Sequence, residues 1–191
     1  MSNRTVLKTP LNEAIVRELK TGDEVLLNGT IFTARDEAHK YLAKETPDFG
    51  LKNSIIYHCG PIVKKQDDQY KIISAGPTTS AREEPYEAEI IKKYQIKAII
   101  GKGGMGEKTM KAMKEHGCVY LSTVGGAAAL LAKSIKQVKN VYKLEFGTPE
   151  AIWELEVENM PAVVTIDSDR NSIYDDVQKN SRKRYDELIS H

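Results

Sequence analysis

Residues 97–106 have the sequence KAIIGKGGMG, in which a short apolar strand runs into a glycine-rich turn. The turn opens a predicted helix over residues 104–116, whose end is marked by Gly117. The elements predicted next are a strand over residues 119–124, a helix over residues 126–135 and a strand over residues 138–146. Strands that alternate with helices in this way are typical of parallel pairing, so the stretch predicts an α/β fold.

Further strands and helices are predicted on both sides of this stretch. Thr9-Pro10 indicates a helix start, with the Thr9 hydroxyl as N-cap and proline at the first helical position. The other predicted elements are strands over residues 24–34, with a bend at Asn28-Gly29, 54–63, 70–75 and 162–166, and helices over residues 36–44, 85–94 and 173–190. Because no linker divides the chain, we predict one α/β domain over residues 1–191, with mixed β-layers and flanking helices.

Composition and charge exclude several classes of protein. The chain has 191 residues and a formal net charge of +1, whereas a dedicated nucleic-acid binder usually carries a basic excess. The longest apolar run, residues 124–132, is far shorter than the roughly 20 residues that a membrane span requires. The first residues, MSNRTVLKTPLNEA, lack the apolar segment of a signal peptide. We therefore expect a cytoplasmic protein with neither a nucleic-acid nor a membrane partner.

The metal-binding side chains are few and scattered. Cys59 and Cys118 are the two cysteines of the sequence, and the four histidines form no HExxH or His-x-His pair. Two thiols cannot supply the three or four ligands that an iron–sulfur cluster or a structural zinc takes from protein. We therefore predict no metal ligands in this chain, and expect another chain to carry most of the ligands of any metal centre.

Three polar segments each follow a predicted strand, where ligands gather in open α/β sheets. They are TARDEAH at residues 33–39, GPTTSAR at residues 76–82 and IGKGGMG at residues 100–106. Each alone is also an adequate turn or helix cap with a solvated cation. Together they present Arg35, Arg82 and Lys102 near the free N–H groups of helix starts, and such groups bind carboxylates. The combination favours a small dianionic substrate.

The glycine segment also fits two other classes of binding module. GKGGMG at residues 101–106 matches the GxGxxG pattern of dinucleotide-binding folds, but the second strand ends without the acidic residue that would bind a ribose. IIGKGG at residues 99–104 resembles the GxxG clamp of a KH RNA-binding module, although Glu107 stands where that module has an aliphatic residue. Nucleotide binding and RNA binding therefore remain alternatives at this point.

Five motifs occur in a fixed order along the chain. They are TARDEAH (residues 33–39), YHCGP (57–61), GPTTSAR (76–82), GKGGM (101–105) and GGAA (125–128). The ordered set resembles the β subunit of class I fumarate hydratase and of L(+)-tartrate dehydratase, a module that forms the C-terminal domain of single-chain members. The resemblance covers residues 7–176. Glu83 departs from the pattern, in which methionine follows the arginine.

The resemblance implies half of an enzyme with the swivelling β/β/α fold. In this family an α subunit holds a 4Fe–4S cluster on three cysteines, and an α2β2 assembly is expected. The reaction implied is the reversible addition of water to the double bond of a C4 dicarboxylate. We expect fumarate as the substrate because its metabolic role is broader, with L(+)-tartrate as the alternative.

The resemblance also implies roles for individual side chains. Thr78 takes the role of catalytic base, assisted by a carboxylate of the partner chain because a hydroxyl alone is a poor base. The substrate carboxylates would be held by Arg35, Arg82 and Lys102, and one of them would be oriented by Thr79. His39 is implied as a proton-transfer or positioning residue.

Overall fold

A computed structural model describes residues 4–67, 69–123 and 126–189 of the chain. Val124 and Ser190, at the ends of two predicted elements, and Gly125 of the GGAA motif lie outside the described residues. In chain order the elements are β1 (Thr5–Lys8), α1 (Glu13–Glu18), β2 (Glu24–Thr33), α2 (Asp36–Lys44), β3 (Ile55–Tyr57), β4 (Ile62–Gln66), β5 (Gln69–Ser74), α3 (Glu84–Tyr94), β6 (Ala98–Gly101), α4 (Glu107–His116), β7 (Val119–Ser122), α5 (Ala128–Lys133), β8 (Ile135–Tyr142), β9 (Ile152–Ile166) and α6 (Ile173–Ile189), with short 3₁₀ turns at Ser80–Arg82 and Leu144–Phe146.

Seven strands form one mixed sheet in the order β1-β2-β3-β6-β7-β9-β8, and β4 and β5 form a separate antiparallel hairpin. The neighbours from β1 to β7 are parallel, whereas β9 runs antiparallel to β7, β8 and β2. Because β9 pairs with both β7 and β2, the pairings close a ring of five strands, β2-β3-β6-β7-β9. The ring places the carboxyl ends of β2, β3 and β6 side by side.

Alternate residues of the central strands pack into two apolar clusters, as the period of two in a strand requires. In β3, Ile55 and Tyr57 belong to the cluster that packs against α1, α5 and β5, while Ile56 belongs to the cluster under α2, α3 and α4. The same alternation holds in β6 and β7. Sheets with helices on their faces confirm the predicted α/β class with mixed β-layers and flanking helices.

The first helix begins later than predicted. Its N-cap is Asn12, whose side-chain oxygen accepts a hydrogen bond from Ala14 N at 2.8 Å. Thr9, the predicted N-cap, forms hydrogen bonds with residues of β2 instead. Its hydroxyl accepts a hydrogen bond from Thr30 N at 2.6 Å, and its own N–H donates to Asn28 O at 3.0 Å. A long-range contact thus replaces the local cap.

Three strand predictions were also wrong in extent or pairing. The apolar run at residues 54–63 is split into β3 and β4, because His58 N donates to Ile100 O and Cys59 bridges to Pro77. The strand predicted at residues 162–166 is the last third of β9. The strand predicted at residues 138–146 is β8, which pairs antiparallel with β9 and does not continue the parallel series. Strand β1 was not predicted.

None of the helices in the described part of the chain is both long and apolar enough to cross a membrane.

Candidate active site

The three cationic segments predicted from the sequence meet at the carboxyl ends of β2, β3 and β6. Thr78 N donates to His58 O at 2.6 Å, which joins the GPTTSAR segment to the end of β3. Thr79 bridges to Lys102, and Ser80 N donates to Lys102 O at 3.0 Å, which joins the same segment to the glycine turn after β6. The parallel strands β2 and β6 bring two of the segments to one edge, as predicted. The GPTTSAR segment follows β5 of the separate hairpin and reaches the same edge through these backbone contacts.

Both arginines of this edge lie around one carboxylate of the chain itself. Arg82 donates to Asp36 through Nη2 at 2.6 Å and Nε at 3.3 Å, and Arg35 Nη2 lies 4.0 Å from the same carboxylate. Arg35 crosses Gly60, where a Cβ would lie 2.6 Å from Nη1, so only glycine leaves room for this path. Asp36 thus pairs with Arg82 and lies near Arg35, whose Nε is closer to Glu150 Oε1, at 3.4 Å.

The remaining predicted residues of the edge differ in exposure. Lys102 and Thr79 are exposed, whereas Thr78 is half-buried. Lys102 and Thr79 are neighbours through the backbone bridge, and the Thr79 methyl group lies near Gly103. The backbone of Lys102 therefore lies beside Thr79, which begins the short turn that carries Arg82.

Carboxylates of the chain already cap two helix starts at this edge. Glu84 of α3 accepts hydrogen bonds from Gly106 N at 2.7 Å and from the backbone and hydroxyl of Thr109 at 3.3 and 2.7 Å. At the start of α2, Glu37 N donates to Glu150 at 3.0 Å. The N–H groups of Glu37, Gly106 and Thr109 therefore already have carboxylate partners, so the expectation that free N–H groups attract the substrate does not hold for these three.

This capping also bears on the dinucleotide alternative. A dinucleotide fold places its pyrophosphate on the N–H groups that open the helix after the glycine turn. In this chain the Glu84 carboxylate occupies that place at the start of α4. Anion binding at the edge must therefore come from the cationic side chains.

His39 does not reach the surface of the edge. The imidazole is fully buried, with Nδ1 2.8 Å from Arg35 O and Nε2 2.8 Å from Glu87 Oε2. It therefore lies beneath the cationic groups and contacts Arg35 through the backbone. The structure does not bring its imidazole to the exposed positions of Lys102 and Thr79.

A buried polar network continues from His39 below the edge. His58 Nε2 lies 3.1 Å from Glu87 Oε2, and His58 Nδ1 lies 2.8 Å from the Ser80 hydroxyl. The Ser80 hydroxyl lies 2.7 Å from the Tyr120 hydroxyl. These four side chains are all buried. The network therefore joins α3, β3, the GPTTSAR segment and β7.

Burial and neighbouring charges move the pKa values of this network in opposite directions. Burial would raise the pKa of Glu87, but the two imidazoles outweigh it and lower that pKa to about 2. Burial would lower the pKa of His39, yet the charge and hydrogen bond of Glu87 raise it. Burial lowers the pKa of His58. These shifts favour an ionised Glu87 paired with a protonated His39, beside a neutral His58.

Glu83 is a buried carboxyl beside this network. Its side chain is fully buried, neither oxygen has a hydrogen-bond partner among the residues that the structure describes, and Oε2 lies 3.3 Å from His39 Nδ1. Burial raises its pKa from 4.5 to about 7. The departure from the family pattern noted in the sequence thus places an ionisable group where an apolar side chain is expected.

The possible metal ligands were tested against this geometry. One ligand atom each from His39, His58 and Glu87 lie within 4.8 Å of one another. Both imidazole Nε2 atoms point at the same Glu87 oxygen, so hydrogen bonds account for their arrangement. Cys59 and Cys118 are buried, and burial raises the pKa of the Cys59 thiol to about 12. These residues do not fit an iron–sulfur cluster, which needs several accessible thiolates.

Sequence reasoning missed the carboxylates that organise this edge. Glu87 shares the helical face of Ile90, Ile91 and Tyr94, and a carboxylate on an apolar face must have buried partners. That pattern was a usable signal. Glu84 and Glu150 gave no such signal, because their partners lie far away in the sequence.

This chain is similar to known proteins along most of its length. The Fumarase C-terminus family model matches residues 1–177. The putative fumarate hydratase class I of Geobacillus stearothermophilus is 50% identical over 179 residues, which are 93% of this chain and 35% of that protein. The putative L(+)-tartrate dehydratase subunit beta of Methanocaldococcus jannaschii is 51% identical over 186 residues, covering 94% of this chain and 95% of that protein.

A more distant relative is similar over its whole length. The L(+)-tartrate dehydratase subunit beta of Escherichia coli K12 is 32% identical over 189 residues, covering 97% of this chain and 94% of that protein. The chain thus spans about a third of the Geobacillus relative and nearly all of the two others. The family resemblance drawn from the five motifs is confirmed, and the chain belongs to the Fumarase C-terminus family.

Proposed function

We propose that this chain is the β subunit of a hydro-lyase that adds water reversibly to fumarate. The observation that carries the proposal is the meeting of Arg35, Arg82 and Lys102 at one edge, from three separate segments. Fumarate and malate carry two carboxylates each, and separate cationic groups suit two such anions. Names of the relatives support the same reaction class.

The proposed chemistry assigns binding and proton transfer to this chain. Malate loses a proton from the carbon next to a carboxylate, and negative charge then develops on that carboxylate. The neighbouring carbon releases its hydroxyl as hydroxide, which would leave toward the partner subunit as the double bond forms. Lys102 and the two arginines would stabilise this charge. Thr78 would remove the proton, with a carboxylate of the partner subunit as the assisting base. Thr79 would orient a carboxylate, and His39, being buried, would act by position.

The subunit names of the relatives and the buried thiols of this chain both support a partner subunit. An α subunit would hold the 4Fe–4S cluster of the family, since Cys59 and Cys118 are buried. The α2β2 stoichiometry, the single catalytic domain over residues 1–191 and the cytoplasmic location expected from the sequence belong to the same proposal.

L(+)-tartrate is the second candidate substrate. The Methanocaldococcus and Escherichia relatives, which the chain covers almost completely, are named for that substrate. Tartrate differs from malate by one hydroxyl, so a single buried polar group can decide between them. That group can come from either subunit.

The test is anaerobic reconstitution with the cluster-bearing α subunit, followed by assays on malate, fumarate and both tartrates. We expect the chain alone to be folded, colourless and inactive, and the reconstituted enzyme to interconvert fumarate and malate. Activity on L(+)-tartrate alone would select the second candidate. Stoichiometric iron and hydratase activity in the isolated chain would contradict the division between subunits.

A further inference from the structure

The buried network has one consistent set of proton positions when Glu87 is the ionised carboxylate that its low pKa indicates. A backbone carbonyl only accepts, so His39 Nδ1 carries a proton and donates it to Arg35 O. The ionised Glu87 also only accepts, so its Oε2 receives N–H groups from His39 and from His58. His39 is therefore an imidazolium whose two N–H groups are both used.

In the other half of the network, every hydrogen bond is donated in the same direction, from Tyr120 towards Glu87. With its proton on Nε2, His58 accepts at Nδ1 from the Ser80 hydroxyl. The Ser80 oxygen then accepts from the Tyr120 hydroxyl. Each hydroxyl proton has one acceptor. We call these residues, Tyr120, Ser80, His58, Glu87 and His39, the buried chain.

The buried chain is attached to every segment that carries a predicted substrate-binding group. His39 fixes the carbonyl of Arg35 at 2.8 Å, and Ser80 N fixes the carbonyl of Lys102 at 3.0 Å. His58 O accepts from Thr78 N at 2.6 Å. A Cβ on Gly101 would overlap the Ser80 hydroxyl, so the backbone just before Lys102 lies directly against the buried chain. Movement of one member therefore displaces several binding groups.

We propose that the buried chain is the positioning device of the site, with Glu87, His58, Ser80 and Tyr120 as positioning residues. None of them is exposed, so none touches substrate. Their effect would pass through the backbone of the three cationic segments. This inference rests on the proposed function for its kinetic consequences, but its proton positions and backbone contacts do not depend on any activity.

The first experiment tests the proton positions in the full chain by imidazole ¹⁵N NMR at pH 7. We expect His58 as the neutral Nε2–H tautomer and His39 with both ring nitrogens protonated. A protonated His58, or its Nδ1–H tautomer, would overturn the proposal. This measurement needs neither the partner subunit nor a substrate.

The second experiment removes one side-chain hydroxyl from the buried chain. Ser80→Ala breaks the contact between Tyr120 and His58, and we expect the amide signals of Thr79 and Lys102 to move. Ser54→Ala is the matched control, because Ser54 is also buried and donates to Leu51 O at 2.6 Å. Unmoved signals in Ser80→Ala would overturn the proposal.

The third experiment measures kinetics in the reconstituted enzyme. We expect kcat/KM to fall roughly 10–100-fold in Ser80→Ala, as for lost outer partners or a misplacement of about 1 Å, with a loss of Tm no larger than in Ser54→Ala. Tyr120→Phe keeps the ring and should act in the same direction. Its control is Tyr94→Phe, whose hydroxyl donates to Leu42 O at 2.7 Å outside the site.

The outcomes separate this inference from the proposed function. Equal activity in site and control variants would overturn positioning while leaving the hydro-lyase proposal intact. An inactive wild-type enzyme would refute the proposed function. In that case the NMR results alone would decide on the buried chain.

Discussion

Replacement of Glu83 by glutamine should remove a pH-dependent cost to folding. The Glu83 carboxyl is fully buried and, in the described part of the chain, neither oxygen has a hydrogen-bond partner, although His39 Nδ1 lies 3.3 Å from Oε2. Glutamine has nearly the same shape and carries no charge at any pH. The variant therefore tests the carboxyl charge with little change in packing.

The size of the effect follows from the pKa of this group. Burial raises the pKa of Glu83 from 4.5 to about 7, a difference worth about 3 kcal/mol at roughly 1.36 kcal/mol per pKa unit. Between these two pH values the unfolded chain has lost the proton that the folded chain keeps. The free energy of unfolding of the wild type therefore falls as pH rises from 4.5 to about 7, and the full cost remains at higher pH.

The assay is urea unfolding followed through the fluorescence of the buried Trp153. Between pH 4.5 and pH 8 we expect the stability of Glu83→Gln to rise relative to wild type by about 3 kcal/mol. Any cost of burying the amide is the same at each pH and cancels in this difference. Glu89→Gln, an exposed position on the same helix, is the control and should keep the wild-type pH dependence. An unchanged pH dependence in Glu83→Gln would refute the reasoning.

Three further predictions concern the edge of the sheet. Lys102→Ala should cost about 2–4 kcal/mol in transition-state stabilisation, with little change in Tm. The control Lys52→Ala, at another exposed position, should keep full activity. Full activity in Lys102→Ala as well would contradict the role of Lys102 in binding a carboxylate. Thr78→Ala should lower kcat about 100-fold or more and abolish solvent-deuterium exchange into malate, whereas Thr79→Ala should mainly raise KM. Retained exchange in Thr78→Ala would mean that another group removes the proton. Glu84→Ala should lower the free energy of unfolding by about 1–2 kcal/mol in urea, because the start of α4 loses its cap, and a loss no larger than in Glu89→Ala would argue against capping.

Local signals explain which elements could be predicted from the sequence. The helix predicted over residues 36–44 has the observed bounds, because its acidic start and apolar spacing are contained within it. The run at residues 54–63 was misread because its apolar character continues across the break, which is made by partners at Ile100 and Pro77. Pro161 lies within β9 and hid its continuity, although the alternation in WELEV at residues 153–157 is that of a strand.

In the candidate site, too, some residues could be predicted from the sequence and others could not. Arg35 and Lys102 could be placed together, because strand ends of a parallel sheet share an edge. Arg82 follows the separate hairpin, and its segment reaches this edge through backbone contacts with His58 and Lys102. The carboxylate neighbours of these side chains could not be placed, since Glu150 and Glu84 reach the helix starts from distant segments. Helix starts recognised in a sequence therefore lead to an overestimate of the number of N–H groups that are free to bind a ligand.

The closed ring of strands has a consequence for the order of events during synthesis. Residue 24 pairs with residue 163, and residue 32 with residue 154, so the ring depends on contacts between distant parts of the chain. Such contacts form slowly because a long loop must close first. A nascent chain on the ribosome has made Arg35, Thr78 and Lys102 long before β9 emerges to pair with β2 and β7. Until then the edges of these two strands stay open to other chains, so a truncation before residue 152 should aggregate during translation.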